Sequence, residues 1–245
     1  MNATAPRSSR WVASTGCVGP WGSTAGELRS WLSAGPAGAR EVRRPPPVPG
    51  FIESQFNPLV YAVVKQCLGS WSPEEGAGTA IVLGSGLGDT TTADVASQNV
   101  AKGNVHNPLL FYQSVPTSIL GYVTREFGIT GPLSCVAGGE LGPSMLEMAD
   151  LLLEDESLHQ VLLLGLELQL NPRTARVREL QGQEGGGLEG DVAVGLLLRR
   201  APAPHGGAKL EALQEATAVA GLPAFPRNWS ALRDLITLCL AYEHS

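Results

Sequence analysis

This chain of 245 residues has only three lysines, four cysteines and four histidines, and each scarcity excludes something. Cys17, Cys67, Cys135 and Cys239 are scattered, with no CxxC pair and no histidine at zinc-ligand spacing. Neither a disulfide framework nor a metal site is expected, and a reducing cytoplasm fits this cysteine usage. Lys65, Lys102 and Lys209 leave almost all positive charge to arginine. The one local cluster, Arg40, Arg43 and Arg44, runs into prolines and reads as a solvated linker. With a net charge of −6 and no basic run, nucleic acid is excluded as a partner, because phosphate contacts need clustered cations. No apolar run approaches the roughly 20 residues that span a bilayer; the longest is 161–164 with its flanks. Arg7 and Arg10 are followed by Gly16, Gly19 and Pro20, a poor match to a signal peptide.

What is abundant is apolar residues, glycine and proline. A hydrophobic share of 43% against 16% charged residues is enough to bury a sizeable core. Thirty glycines and eighteen prolines imply many short elements joined by tight turns. Residues 11–19 are β-capable, and 24–32 read as a helix with Leu28, Trp31 and Leu32 on one face. A Gly/Pro/Arg linker over 34–50 precedes a helix from Asn57, with Pro58 in its first turn and Leu59, Val63, Val64, Cys67 and Leu68 on the apolar side. Strands are expected at 79–83, 133–137, 161–164 and 191–200, alternating with helices at 90–102, 116–127 and 143–153. This alternation gives an α/β fold with a largely buried sheet. Residues 171–190 read as a Gln/Glu/Gly loop and 201–207 as a linker; the tail carries helices at 208–220 and 230–241.

The stretch Ile81-Val82-Leu83-Gly84-Ser85-Gly86-Leu87-Gly88-Asp89 stands where a dinucleotide fingerprint would. Asp89 replaces the third glycine and would repel a pyrophosphate, so a glycine-built turn is the better reading. Further on come Asn107-Pro108-Leu109-Leu110-Phe111-Tyr112, then Ser114-Val115-Pro116, and a helix ending in Phe127-Gly128-Ile129-Thr130-Gly131-Pro132. A strand, a small-residue turn, a Leu/Met helix and a second strand ending at Gly165 follow. A GSGLG turn, a proline-led segment, a helix and an FGxxGP corner in this order resemble the N-terminal half of the β-ketoacyl synthases, members of the thiolase fold. The resemblance covers about residues 11–200. It implies a single thiolase-like half, a mixed five-stranded sheet with helices on both faces, as a domain over 1–200, and a short helical tail over 201–245.

Two departures bear on activity. In the family the nucleophilic cysteine comes nine residues after the glycine of the Gly-Pro corner; here that position is Glu140. Cys135 falls mid-strand, core or interface, and reads as a small structural hydrophobe. The partial positive charge of a helix N-terminus, which would lower a thiol's pKa, also accommodates a carboxylate at Glu140. The family's second half, with its catalytic histidines, has no counterpart before the chain stops. His106, His159, His205 and His244 stand in none of the family's motifs, so a catalytic set is not expected.

The resemblance therefore implies a chain-length-factor type of subunit, as in type II polyketide and aryl polyene pathways: a protein without catalytic activity of its own, paired with an active ketosynthase. In the family the strand matching 133–137 runs antiparallel to its partner's across the dimer axis, and an unpaired edge there invites aggregation. The acyl tunnel enters that interface, which places Phe111, Tyr112, Gln113, Ser114, Val115 and Ile119 at its floor, and Leu133, Cys135 and Ala137 at the contact. Phe111 and Tyr112 read either as a stop for a growing chain or as ordinary core aromatics. No cofactor or metal is implied. An acyl carrier protein is an indirect partner, met mainly through the ketosynthase. Two alternatives stay open: an autonomous decarboxylase or acyl hydrolase using Glu140, which lacks a visible base, and a degenerate scaffold. Leu210, Leu213, Leu232, Leu235, Ile236, Leu238 and Leu240 of the tail are expected to cover the face on which a second half would have packed.

Overall fold

The computed structural model describes residues 9–34, 44–69, 71–104, 107–169, 171–180, 190–203, 206–219 and 227–243. Arg40, Arg43, His106, His205 and His244 lie outside them. The most apolar runs form the centre of one sheet: β4 (Gln160–Glu167) is buried along its whole length, and β5 (Val192–Arg199) at all but its last residue. Beside them lie β1 (Trp11–Val18), β2 (Thr79–Gly84), β3 (Leu133–Val136) and the two-residue β6 (Ala208–Lys209). The order across the sheet is β3-β2-β4-β5-β1-β6. β2 pairs in parallel with β3 and β4, while β4–β5, β5–β1 and β1–β6 are antiparallel, so the sheet is mixed.

Successive strand residues point to opposite faces, and the two halves of the core follow that alternation. Ala80, Val82, Val161, Leu163, Val194 and Leu196 face one side, where α6 (Leu141–Leu152) packs through Leu141, Met145 and Ala149. Ile81, Leu83, Leu162 and Leu164 face the other, beneath α2 (Phe56–Cys67) and α5 (Thr117–Phe127). The crossover from β2 to β3 thus runs on one face and that from β3 to β4 on the other. Between β2 and α5 come α3 (Thr90–Ala101) and α4 (Pro108–Ser114); α1 (Ala25–Ala34) follows β1.

Sequence explains the ends of these elements. Asn107 accepts a hydrogen bond from the Leu109 amide at 3.0 Å with Pro108 in the first turn, so the proline-led segment is a capped helix. Gly128 closes α5 in the left-handed conformation, φ 66° and ψ 23°. Gly131 sits so close to the carbonyl of Thr79 that a Cβ would lie 2.2 Å from its oxygen, which is why the corner before β3 needs glycine.

The tail belongs to the same core. After α8 (Leu210–Val219) and a 3-10 turn at Arg227–Leu232, α9 (Arg233–Tyr242) packs on the α6 side of the sheet. Every tail leucine expected to cover that face is buried, together with Ile236, Trp229 and Cys239. Fully burying such side chains contributes about 1.5–3 kcal/mol each.

Three details differ from the sequence reading. The sheet has six strands rather than five, because residues 208–209 pair with β1 before the tail helix begins. Residues 171–190 hold a helix, α7 (Pro172–Leu180), started by Asn171, whose side-chain oxygen accepts from the Thr174 amide at 2.9 Å. This helix lacks an apolar stripe, so periodicity gave no sign of it. Of the two places read for Cys135, core or interface, the core is ruled out: it is exposed, because β3 is an outer strand. Among the described residues no helix is long and apolar enough to cross a membrane.

Candidate functional site

The GSGLG turn after β2 spends its polar groups on the protein. The Gly86 amide donates to Glu167 Oε1 at 2.7 Å and the Gly88 amide to Ser85 Oγ at 2.9 Å. Asp89 is buried and caps α3: it accepts from the Thr92 amide at 3.1 Å, the Thr92 hydroxyl at 2.7 Å and the Ser54 hydroxyl at 2.7 Å. A carboxylate in this place, with two glycine amides already donating to side chains, disfavours a pyrophosphate. The turn is structural.

Beside this turn, at the same end of the paired strands, the chain leaves β3, turns through Gly138 and Gly139, and enters α6. Glu140 is the residue at its N-cap, φ −120° and ψ 64°, exposed and without a side-chain capping bond. Its backbone carbonyl accepts from the Ser144 amide at 3.4 Å. Glu140 therefore offers an exposed carboxylate at a helix mouth. Sequence reasoning missed one neighbour. Asp234 of α9 lies against the first turn of α6, where a Cβ on Gly142 would approach its side chain to 2.8 Å. Nothing in the sequence relates Asp234 to Glu140; only packing of the tail does. His159 precedes β4, at the far end of the strands from Glu140. That is about six residue rises, or about 20 Å. Among the described residues the helix mouth thus has two carboxylates and neither a thiol nor an imidazole, and it lacks the nucleophile–base pair of covalent acyl transfer. No group of three or more metal-ligating side chains occurs among the described residues.

Several large apolar side chains are exposed on α3, α4 and β3. Leu109 is 62% exposed, Phe111 67%, Tyr112 53% and Leu133 42%, with Val100 of α3 at 61%. A groove of about 330 Å³ between α3 and α4 is lined by Ala96, Val100, Leu110 and Phe111 among others. Although its side chain reaches the surface, partial desolvation raises the Cys135 thiol above its usual range. Tyr112 stacks on Phe51 with ring centroids 6.3 Å apart, and the Ser118 hydroxyl donates to its carbonyl, so its ring is held in place. Phe111, Tyr112, Leu133, Cys135 and Ala137 are exposed; Ser114 and Val115 are half-buried. Gln113 and Ile119 do not reach the surface: Gln113 turns inward, and Ile119 is packed with Leu120 and Val123 in the α2–α5 core.

No family model matches the chain, and no curated protein does. Solved structures do. The chain aligns with the ketosynthase (ApeO) complex with its chain length factor (ApeC) from Xenorhabdus doucetiae at a TM-score of 0.63 and 20% identity, covering 79% of each chain. The fold is that of a β-ketoacyl synthase. The ishigamide ketosynthase/chain length factor aligns at a TM-score of 0.59 and 14% identity, over 79% of this chain and 62% of that one. A β-ketoacyl synthase from Burkholderia phymatum aligns at 0.59 and 15%, over 86% and 62%. Against these two the chain spans less than two thirds of the ketosynthase fold's length, and Glu140 stands in that fold at the mouth of α6.

Proposed function

We propose that this chain is a non-catalytic, chain-length-factor type of subunit that pairs with an active ketosynthase and shapes its acyl tunnel during polyketide or fatty-acid-type elongation. One juxtaposition supports the reading: Glu140, at the spacing after Gly131 where the resemblance puts the nucleophile, stands at the mouth of α6 directly after an outer strand on which Leu133 and Cys135 are exposed. Such a strand is an assembly surface rather than a finished edge. Two of the solved structures that share the fold are described as ketosynthases with a chain length factor, which supports a ketosynthase as the partner.

In this reading Leu133, Cys135 and Ala137 meet the partner. Phe111 and Tyr112, with Ser114 and Val115 beside them, face the end of the tunnel. A carrier protein delivers the chain to the ketosynthase and touches this subunit only indirectly. The carrier-bound chain is of the aryl polyene kind, and the heterodimer works in the cytoplasm, where its free thiols stay reduced.

The test is co-expression with a ketosynthase encoded beside it. Co-purification, with elongation that requires both chains, is the expected result. Glu140→Gln separates the alternatives. A hydrolase or decarboxylase activity of the isolated chain that disappears in this variant would establish an autonomous enzyme and overturn the proposal. An effect confined to the complex supports it.

A further inference from the structure

The proline run that reads as part of a linker forms a strap with an exposed surface of its own. Four of the six residues Arg44-Pro45-Pro46-Pro47-Val48-Pro49 are prolines, each with φ held near about −65°. Arg44, Pro45, Pro46 and Val48 each precede a proline, which pushes them out of the helical region into extended backbone. Residues 44–47 accordingly belong to neither helix nor strand, as a polyproline II segment would.

Burial along the strap repeats every three residues, which is the period of that left-handed helix. Pro45 is half-buried and Val48, three residues on, is 1% exposed; Arg44 and Pro47 are exposed, and so are Pro46 and Pro49. One edge of a three-sided segment thus faces the protein and two face solvent. The far end is tied down. Val48 and Phe51 pack in the α2–α5 half of the core, the Phe51 amide donates to the Val48 carbonyl at 3.0 Å, and Gly50 supplies the φ of +87° in the turn between them. At the near end Pro45 and Pro46 line a cavity of about 520 Å³ with Pro20, Trp21 and Ala62. Polyproline II makes no internal hydrogen bonds, so its carbonyls are left to accept from water or from a partner.

We propose that the strap 44–49 is a docking ligand for a second protein, one whose groove of aromatic side chains grips polyproline II. The two outward edges meet at Pro46 and Pro47, whose neighbouring rings form a ridge that fits between two aromatic side chains of such a groove. Arg44 shares the edge of Pro47, one turn away, and matches a carboxylate at that end of the groove, which sets the direction of binding. The strap is held by its prolines and by Val48 before any partner arrives, so little freedom is lost on docking. In the order β3-β2-β4-β5-β1, the cavity beside Val18 of β1 is four strand spacings, or about 19 Å, from β3. The strap therefore does not depend on pairing with a ketosynthase through β3.

The probe is a purified, isotope-labelled WW domain, a module with one aromatic groove for proline pairs, of the kind that reads proline runs beside arginine; it is titrated with the full chain. Saturable shifts confined to the signals of its groove are the expected result. Pro46→Ala combined with Pro47→Ala should weaken binding by about tenfold or more, and Arg44→Glu by about threefold or more, with an unchanged circular dichroism spectrum because all three side chains are exposed. Absence of saturable binding, or binding that survives these variants, overturns the inference. Loss of a co-purifying ketosynthase in the same variants also overturns it, because the strap would then belong to that interface. Binding to the WW domain by a chain that does not co-purify with a ketosynthase leaves the inference standing and removes the proposed function.

Discussion

Trp229 meets Trp21 edge-on, with ring centroids 5.2 Å apart, and Trp31 lies 5.3 Å from Trp229. Residues from both ends of the chain thus share one aromatic cluster. Trp229 is fully buried, and its indole N–H donates to the Gly190 carbonyl at 3.3 Å. Trp229→Ala should therefore destabilise the protein by about 3–5 kcal/mol, as large aromatic truncations in cores do. A lowered urea midpoint together with a weakened near-ultraviolet dichroism signal is the expected outcome. An unchanged midpoint would mean that the tail is not anchored through this ring.

Asp191 stands at the entry to β5, where its carboxylate accepts from the Gln169 amide at 2.7 Å. Burial raises its pKa above the ordinary 3.8, an effect that the amide and Arg44 only partly oppose. The folded protein then holds this proton to higher pH than the unfolded chain does. Stability contributed by the group is greatest at acid pH and falls as pH rises from the ordinary value through the raised one. Asp191→Asn keeps an oxygen for Gln169 and removes the titration. In thermal melts from pH 3 to 7, its stability relative to the parent should improve as pH rises. A constant difference across that range would remove Asp191 from the pH response.

The parts of the fold legible in sequence were those written in periodicity and caps. The Ile81-Val82-Leu83 run and the 161–164 run are strands because they are buried on both faces, and Phe127 to Pro132 forms a corner because Gly128 and Gly131 are required there. The helix-mouth position of Glu140 was legible from its spacing after Gly131. Asp234 was not, since its place depends on the tail folding back over the sheet. The inward turn of Ile119 was missed for a different reason: the helix 117–127 presents Ile119, Leu120 and Val123 as one stripe, and only packing against α2 decides which face it meets.

Cys135 should be the cysteine that reacts in the folded chain. The other three thiols are buried, and the attacking species is the thiolate. Desolvation raises its pKa above the ordinary 9.0, so alkylation near neutral pH should be slow and should accelerate about tenfold per pH unit until the thiol ionises. Intact mass after limited N-ethylmaleimide treatment should show one adduct per chain, and four only after denaturation. Protection of that adduct by a bound ketosynthase maps the docking edge; equal labelling with and without the partner would place the interface elsewhere.

Phe111 separates a role in stability from a role at the tunnel. With 67% of its surface exposed, its truncation to alanine in the isolated chain should change stability by no more than about 0.5 kcal/mol. In a reconstituted complex the same ring faces the end of the proposed tunnel, and Phe111→Ala removes a bulky stop while leaving the Tyr112 ring on Phe51. Product analysis by mass spectrometry should then show chains longer by one or more extension units. Products of unchanged length from an intact complex would show that Phe111 does not set the limit, and would move the stop to Tyr112 or to the ketosynthase itself.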